Sequence, residues 1–213
     1  MSTPISETQF HESEGVDDWR AVFWGACAVF RTDDYATAAQ FATSIAEIAE
    51  ELGHYPDIDL RQGTVAVRTG SSNLSDRDVI LARKVSAAAR QLGLDADPGN
   101  VQHVQFTFDV VDGEPIKAFW EAALGYEREG DDDLVDPRRS SPPVWFQKVE
   151  HHQLPHNRIH VDVSVPHDVA EQRVNAILGA GGRMLGDKHA PAWWSLVDAE
   201  GNVVDIATWQ GRE

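Results

Sequence analysis

The 213 residues carry 35 acidic side chains against 18 basic ones, a formal net charge of −17, with 42% hydrophobic and 25% charged residues. That balance belongs to a folded chain long enough for one large or two small domains, and its negative field disfavours nucleic acid and anionic membrane surfaces as partners. The single cysteine, Cys27, allows no internal disulfide or thiolate cluster; no apolar run near 18 residues is present to span a bilayer, and Met1-Ser2-Thr3-Pro4-Ile5 lacks the pattern of a secretory signal, so a cytoplasmic protein is expected.

A short helix is expected over 5–11, then a strand over 20–31 that Gly25 interrupts. Cys27 lies in that strand among Ala26, Ala28 and Val29, the setting of a buried thiol rather than a nucleophile. Residues 34–52 place Ala38, Phe41, Ile45, Ile48 and Leu52 at three- and four-residue steps, which predicts a helix lying on a sheet and stopped by Gly53. Strands are expected over 57–61 and 64–69. Ser75-Asp76-Arg77-Asp78 is an acidic form of a capping box, opening a helix that buries Val79, Ala82, Val85, Ala89 and Leu92. Gly93 suits a helix C-cap, and Pro98-Gly99 continues neither helix nor central strand. The chain is therefore read as one domain over 1–94, a linker over 95–100 and a second domain over 101–213.

The second domain repeats itself. His103-Val104-Gln105-Phe106-Thr107-Phe108 is echoed by His160-Val161-Asp162-Val163-Ser164-Val165. Each copy precedes a helix, over 114–124 and 168–178, ended by Gly125 and Gly179. Strand segments follow at 126–129, 133–136 and 144–149 in the first module (101–150), and at 183–185, 193–198 and 203–209 in the second (157–210). Both domains are thus α+β: the first an antiparallel sheet with helices on one face, the second paired βαβββ modules around a shared cleft.

Alternation sets His103, Gln105 and Thr107 opposite Val104, Phe106 and Phe108, and His160, Asp162 and Ser164 opposite Val161, Val163 and Val165. The apolar faces are expected under the helices, leaving a polar, His-headed face in each module and bringing His103 close to His160. Asp205 falls between apolar neighbours on the final strand, where a lone carboxylate needs a partner; Gln147 is its nearest counterpart in the first module. Of the adjacent Trp193 and Trp194, only one can face the cleft. His151, His152 and His156, beside Pro155, read as solvated loop residues.

These features carry a resemblance. With Ala118-Phe119-Trp120-Glu121-Ala122-Ala123-Leu124-Gly125-Tyr126, Asn157-Arg158-Ile159-His160-Val161-Asp162 and Val197-Asp198-Ala199-Glu200-Gly201-Asn202, residues 100–213 resemble the glyoxalase/bleomycin-resistance (vicinal oxygen chelate) superfamily. The resemblance implies a divalent metal (Fe, Zn, Ni or Mn) held by His103, Gln147, His160 and Asp205, with Gln105 and Trp193 as substrate contacts in the cleft.

Residues 4–94 resemble pterin-4a-carbinolamine dehydratases through Trp19-Arg20, Phe30-Arg31-Thr32-Asp33-Asp34-Tyr35, Gly53-His54-Tyr55-Pro56-Asp57, Val65-Ala66-Val67-Arg68-Thr69 and Leu74-Ser75-Asp76-Arg77-Asp78. That family removes water from a 4a-hydroxytetrahydropterin, so a pterin is implied as substrate, with His54, Tyr55 and Asp57 catalytic and Pro56 and Asp78 binding it. The family's oligomeric habit implies a homo-oligomer. Two departures stand out: Tyr55 replaces the second of two adjacent histidines, and Thr69-Gly70-Ser71-Ser72 has none where the third belongs. Three readings stay open: a lyase using His54, a metal-dependent enzyme of the second domain, or a first domain kept for binding or dimerisation.

Overall fold

The structure, a computed structural model, describes residues 2–70, 73–150, 159–197 and 203–212. His151, His152 and His156, the turn over 198–202, and Ser71 and Ser72 lie outside the described residues. The chain divides into two compact units, one made mainly of 1–102 and the other mainly of 103–211.

The first unit runs α1 (Glu7–His11), β1 (Arg20–Val22), β2 (Gly25–Arg31), α2 (Tyr35–Leu52), β3 (Asp57–Arg61), β4 (Thr64–Thr69) and α3 (Asp76–Gln91), with the antiparallel sheet ordered β1-β2-β4-β3. Ala26, Ala28 and Phe30 of β2 and Val65 and Val67 of β4 are buried against Ala38, Phe41, Ile45 and Ala49 of α2 and the apolar stripe of α3. The α2 stripe is rotated slightly from expectation, with Ala49 buried and Ile48 and Leu52 only half-buried. Phe30 meets Phe41 edge to face at 5.1 Å, and the fully buried Trp19 donates its indole N–H to Ser86 Oγ at 3.2 Å. A buried indole needs such a partner.

The break in the 20–31 strand falls at Phe23 and Trp24. Gly25 follows with φ 114°, and a Cβ there would run into the carbonyl oxygens of Thr69 and Gly70, so only glycine fits. The segment expected as a linker is partly stitched to the sheet: Arg31 N donates to Asp95 O at 2.9 Å and Asp97 N to Val29 O at 2.7 Å. β1 pairs only with residues 25–27, so the exposed edge of β2 beyond it takes these bonds instead.

The second unit runs β5 (His103–Val110), α4 (Gly113–Leu124), β6 (Glu127–Glu129), β7 (Asp133–Val135), β8 (Val144–Lys148), β9 (Ile159–Ser164), α5 (Ala170–Gly179), β10 (Arg183–Gly186), β11 (Trp193–Val197) and β12 (Val203–Ala207). Its eight strands form one sheet, β10-β11-β12-β9-β5-β8-β7-β6. The order is symmetric about the central antiparallel pair β5–β9, and within each module the first and last strands run parallel. Each module keeps its own core: Phe108, Val110, Leu134, Val144 and Phe146 with Trp120, and Val165, Ala170, Val174, Leu196 and Ile206 with Trp194. Phe106 departs from expectation at 37% exposed, because Trp120 of α4 packs on Phe108, further along β5.

Candidate functional sites

In the first unit three elements converge. α2 ends at Gly53 in the left-handed conformation (φ 57°), which turns the chain so that His54 N returns to Ala49 O at 3.1 Å and its ring reaches α3. The Arg77 guanidinium donates to the carbonyl oxygens of Leu52 and Gly53, satisfying α2's terminal acceptors and holding its C-terminus beside the start of α3. At that start Asp78 closes the capping box: its Oδ2 accepts from Ser75 N and Ser75 Oγ, both at 2.7 Å.

The other oxygen of Asp78 does different work. Oδ1 accepts from Thr69 Oγ1 at 2.5 Å and lies 2.7 Å from His54 Nε2, with Thr69 Oγ1 also 3.2 Å from that nitrogen. Asp78 is 1% exposed. Burial alone would push its carboxyl up, but the hydrogen bonds from Thr69, Ser75 and His54 outweigh that and hold it below the usual carboxylate range. An ionised carboxylate only accepts, so the His54 proton belongs on Nε2 and the Nδ1 lone pair is the one left for a ligand. His54 is partly exposed, and so reachable.

The structure does not bring the other expected residues into this network. Tyr55 is 67% exposed and its hydroxyl leans toward Glu50 Oε2 at 3.4 Å. Asp57 starts the exposed edge strand β3 and faces Arg68 at 3.3 Å. Pro56, half-buried, joins the two. Asp78, expected to touch substrate, is instead covered by His54 and orients it. Thr69 was not anticipated; a threonine ending a strand gives no sequence signal of this role. His11 Nε2 accepts from Ala21 N at 3.1 Å, so that imidazole is committed to the backbone. Cys27, expected as a buried thiol, is only half-buried, on the face of β2 opposite Ala26 and Ala28; desolvation of the thiol itself still pushes it up to about 12, which argues against a nucleophile.

In the second unit the polar faces of β5 and β9 do share one side of the sheet, but they are mostly buried, and register decides who meets whom. Gln105 opposes Asp162, Thr107 opposes His160, and His103 opposes Ser164. His103 and His160 therefore sit toward opposite ends of the pairing, His103 four residues from Thr107, or about 13 Å at strand spacing. Gln147 lies on β8 opposite Asp109, beyond β5 from His160. What gathers around His160 is its own module: Asp162, two residues along β9 on the same face, and Asp205, opposite Asp162 on β12.

The ligand atoms of His160, Asp162 and Asp205 all lie within 4.8 Å of one another. His160 Nε2 is 3.5 Å from Asp162 Oδ1 and 4.0 Å from Asp205 Oδ2, and the three side chains are 15%, 9% and 16% exposed. Thr107 Oγ1 donates to Asp162 Oδ2 at 2.5 Å. Asp205 Oδ1 is buried with no hydrogen-bond partner among the described residues. Two carboxylates this close repel by about 3 kcal/mol at an effective dielectric near 20, so the donor set fits a cation.

The same face carries Gln105, whose Nε2 approaches Asp133 Oδ1 at 3.5 Å from two strands away, so this face is concave. Burial, and then Asp132 and Glu129, push the Asp133 carboxyl up to about 6. Trp193 stacks on His189 with ring centroids 4.1 Å apart, while Trp194 packs in the core, so the tryptophan pair divides as alternation requires.

The chain is thus an α+β fusion with a histidine–aspartate pair in one unit and a His/Asp/Asp group in the other. The profile described as pterin 4 alpha carbinolamine dehydratase matches residues 3–88, and that described as a glyoxalase-like domain matches 105–207. The chain is 30% identical over 80 residues to a Nocardia farcinica protein carrying the name pterin-4-alpha-carbinolamine dehydratase, covering 36% of this chain and 84% of that one. A namesake from Acidobacterium capsulatum is 37% identical over 62 residues, covering 28% and 67%. Among solved structures, a transcriptional coactivator/pterin dehydratase from Brucella melitensis is 26% identical, covering 41% of this chain and 99% of that one, with a TM-score of 0.38. A glyoxalase/bleomycin resistance protein/dioxygenase superfamily member from Vibrio splendidus is 12% identical, covering 51% and 99%, with a TM-score of 0.34. The chain belongs to the pterin-4a-carbinolamine dehydratase family through its first domain and carries a glyoxalase-like domain after it.

Proposed function

We propose that the first domain is a hydro-lyase that dehydrates a 4a-hydroxytetrahydropterin, such as that of tetrahydrobiopterin, with His54 as its one acid–base group. The observation that carries this is the 2.7 Å contact between His54 Nε2 and the buried, ionised Asp78. A single imidazole serves both halves of the reaction in turn. Nδ1 accepts the proton from the pterin's N5, and the resulting imidazolium, stabilised by Asp78, returns it to the departing 4a-hydroxyl. Water leaves, the quinonoid dihydropterin remains, and the ring is restored with no net proton change. Tyr55, exposed beside His54, and Asp57 at the strand edge serve as outer contacts in this reading. The exposed edge strand β3 suits pairing with another copy, which supports a homo-oligomer, and among the described residues no helix is long and apolar enough to cross a membrane, which agrees with a cytoplasmic enzyme.

The test is stopped-flow dehydration by the full chain beside His54→Ala. Acid–base groups contribute about 10²–10⁴-fold, so the variant is expected to lose at least about a hundredfold of the rate above buffer. A loss below about tenfold would make His54 structural and the proposal wrong.

A further inference from the structure

We infer that the glyoxalase-like domain binds one divalent first-row cation within its second module alone, through His160, Asp162 and Asp205. Its ligands come from two neighbouring parallel strands, β9 and β12, rather than from both halves of the repeat. The inference is independent of the dehydratase reading, which concerns the other domain.

Spacing is the first argument. Separations of 3.5 and 4.0 Å from His160 Nε2 to the two carboxylates are too long for strong hydrogen bonds. Ligands that each sit about 2.1 Å from a shared ion lie roughly 3–4 Å from one another, so a cation needs only small inward rotations of these side chains. Charge is the second. Two largely buried carboxylates face one imidazole, and Asp205 Oδ1 is buried with no hydrogen-bond partner among the described residues. Such an oxygen is costly in a protein interior unless a cation or donor meets it.

Orientation is the third argument. The Thr107 hydroxyl holds Asp162 Oδ2 at 2.5 Å, which turns Oδ1 toward His160 and fixes the carboxylate as an outer hydrogen bond fixes a metal ligand. Thr107 belongs to the first module, whose contribution is then positioning rather than ligation. His103 and Gln147 are placed elsewhere by register: His103 opposite Ser164, and Gln147 opposite Asp109 on the far side of β5. One imidazole with two carboxylates suits Mn²⁺ or Fe²⁺, and also Zn²⁺ or Ni²⁺, and three ligands from one face leave coordination positions open toward the concave side.

The experiment uses the full chain, stripped with a chelator and titrated with Mn²⁺ while free Mn²⁺ is followed by its electron paramagnetic resonance signal. Wild type is expected to bind one Mn²⁺ per chain, with Zn²⁺ competing. Asp162→Asn and Asp205→Asn should each weaken binding by at least about tenfold, and His103→Ala and Gln147→Ala should leave it within about threefold. Two carboxamide variants guard against one failing to fold, and Mn²⁺ should raise the melting temperature of wild type but of neither. Absence of saturable Mn²⁺ binding by wild type would overturn the inference. So would a loss in His103→Ala or Gln147→Ala equal to that in Asp162→Asn, since the ion would then be shared between modules.

Discussion

At the scale of residues, two aspartates sit in opposite electrostatic situations. Asp78 is held below the usual carboxylate range by the donors around it, so the stability it contributes is present above the unfolded pKa near 4 and is lost as pH falls through its lower folded value. Asp133 is the reverse: pushed up to about 6, it favours the folded state most below pH 4, and that contribution disappears as pH rises through 6. At neutral pH its charge works against the second domain. Asp133→Asn is therefore expected to stabilise that domain by about 1–2 kcal/mol at pH 8 and by much less at pH 4, discounting the full shift for partial solvent access. Thermal melts of both proteins at the two pH values check this. Equal or lower stability of the variant at pH 8 would mean that Asp133 has a cationic partner in solution. A carboxylate kept at such a cost, on the same concave face as His160, is what a working cleft tolerates.

At the scale of elements, most strands and helices were legible because alternation, capping and glycine stops agreed: Gly53 and Gly125 end their helices in the left-handed conformation, whereas Gly179, expected as a stop, is the last residue of α5 and Ala180 caps it. The capping box at Ser75 and Asp78, the left-handed Gly53 and the limits of β3 and β4 follow directly from the sequence. Register was not legible. The repeat makes His103 and His160 equivalent, but equivalence across a two-fold axis is not proximity; that axis passes between Gln105 and Asp162, and the histidines fall on either side of it. Asp162 could have been found, since a residue two along from His160 must share its face. Thr69 could not, because only the packing of β4 against α2 and α3 gives it a role. Gly25 ties an element boundary to the site: Gly25→Ala forces a methyl group against the Thr69 and Gly70 carbonyls. A destabilisation of about 2–4 kcal/mol is expected from strain at this backbone position and the clash, read as a lower denaturation midpoint of the first domain, with slower dehydration in the protein that stays folded. An unchanged midpoint would show that the β1–β2 turn is free to move away from Thr69.

At the scale of the whole molecule, each half owns a core and a polar site, and the net charge of −17 bears on neither chemistry directly. The local arrangement at each site is set by carboxylates: Asp78 beneath one imidazole, and Asp162 and Asp205 around another. What separates this first domain from a three-histidine site is that orientation has to compensate for number. The central claim is that Asp78 holds the His54 proton on Nε2 and leaves Nδ1 for the pterin. Nitrogen-15 NMR of the His54 ring, recorded with and without a non-reactive pterin analogue, measures this directly. The account predicts the proton on Nε2 in the neutral ring and a change at Nδ1, not Nε2, when the analogue binds; a proton on Nδ1, or a ring that does not respond to a bound pterin, would contradict it.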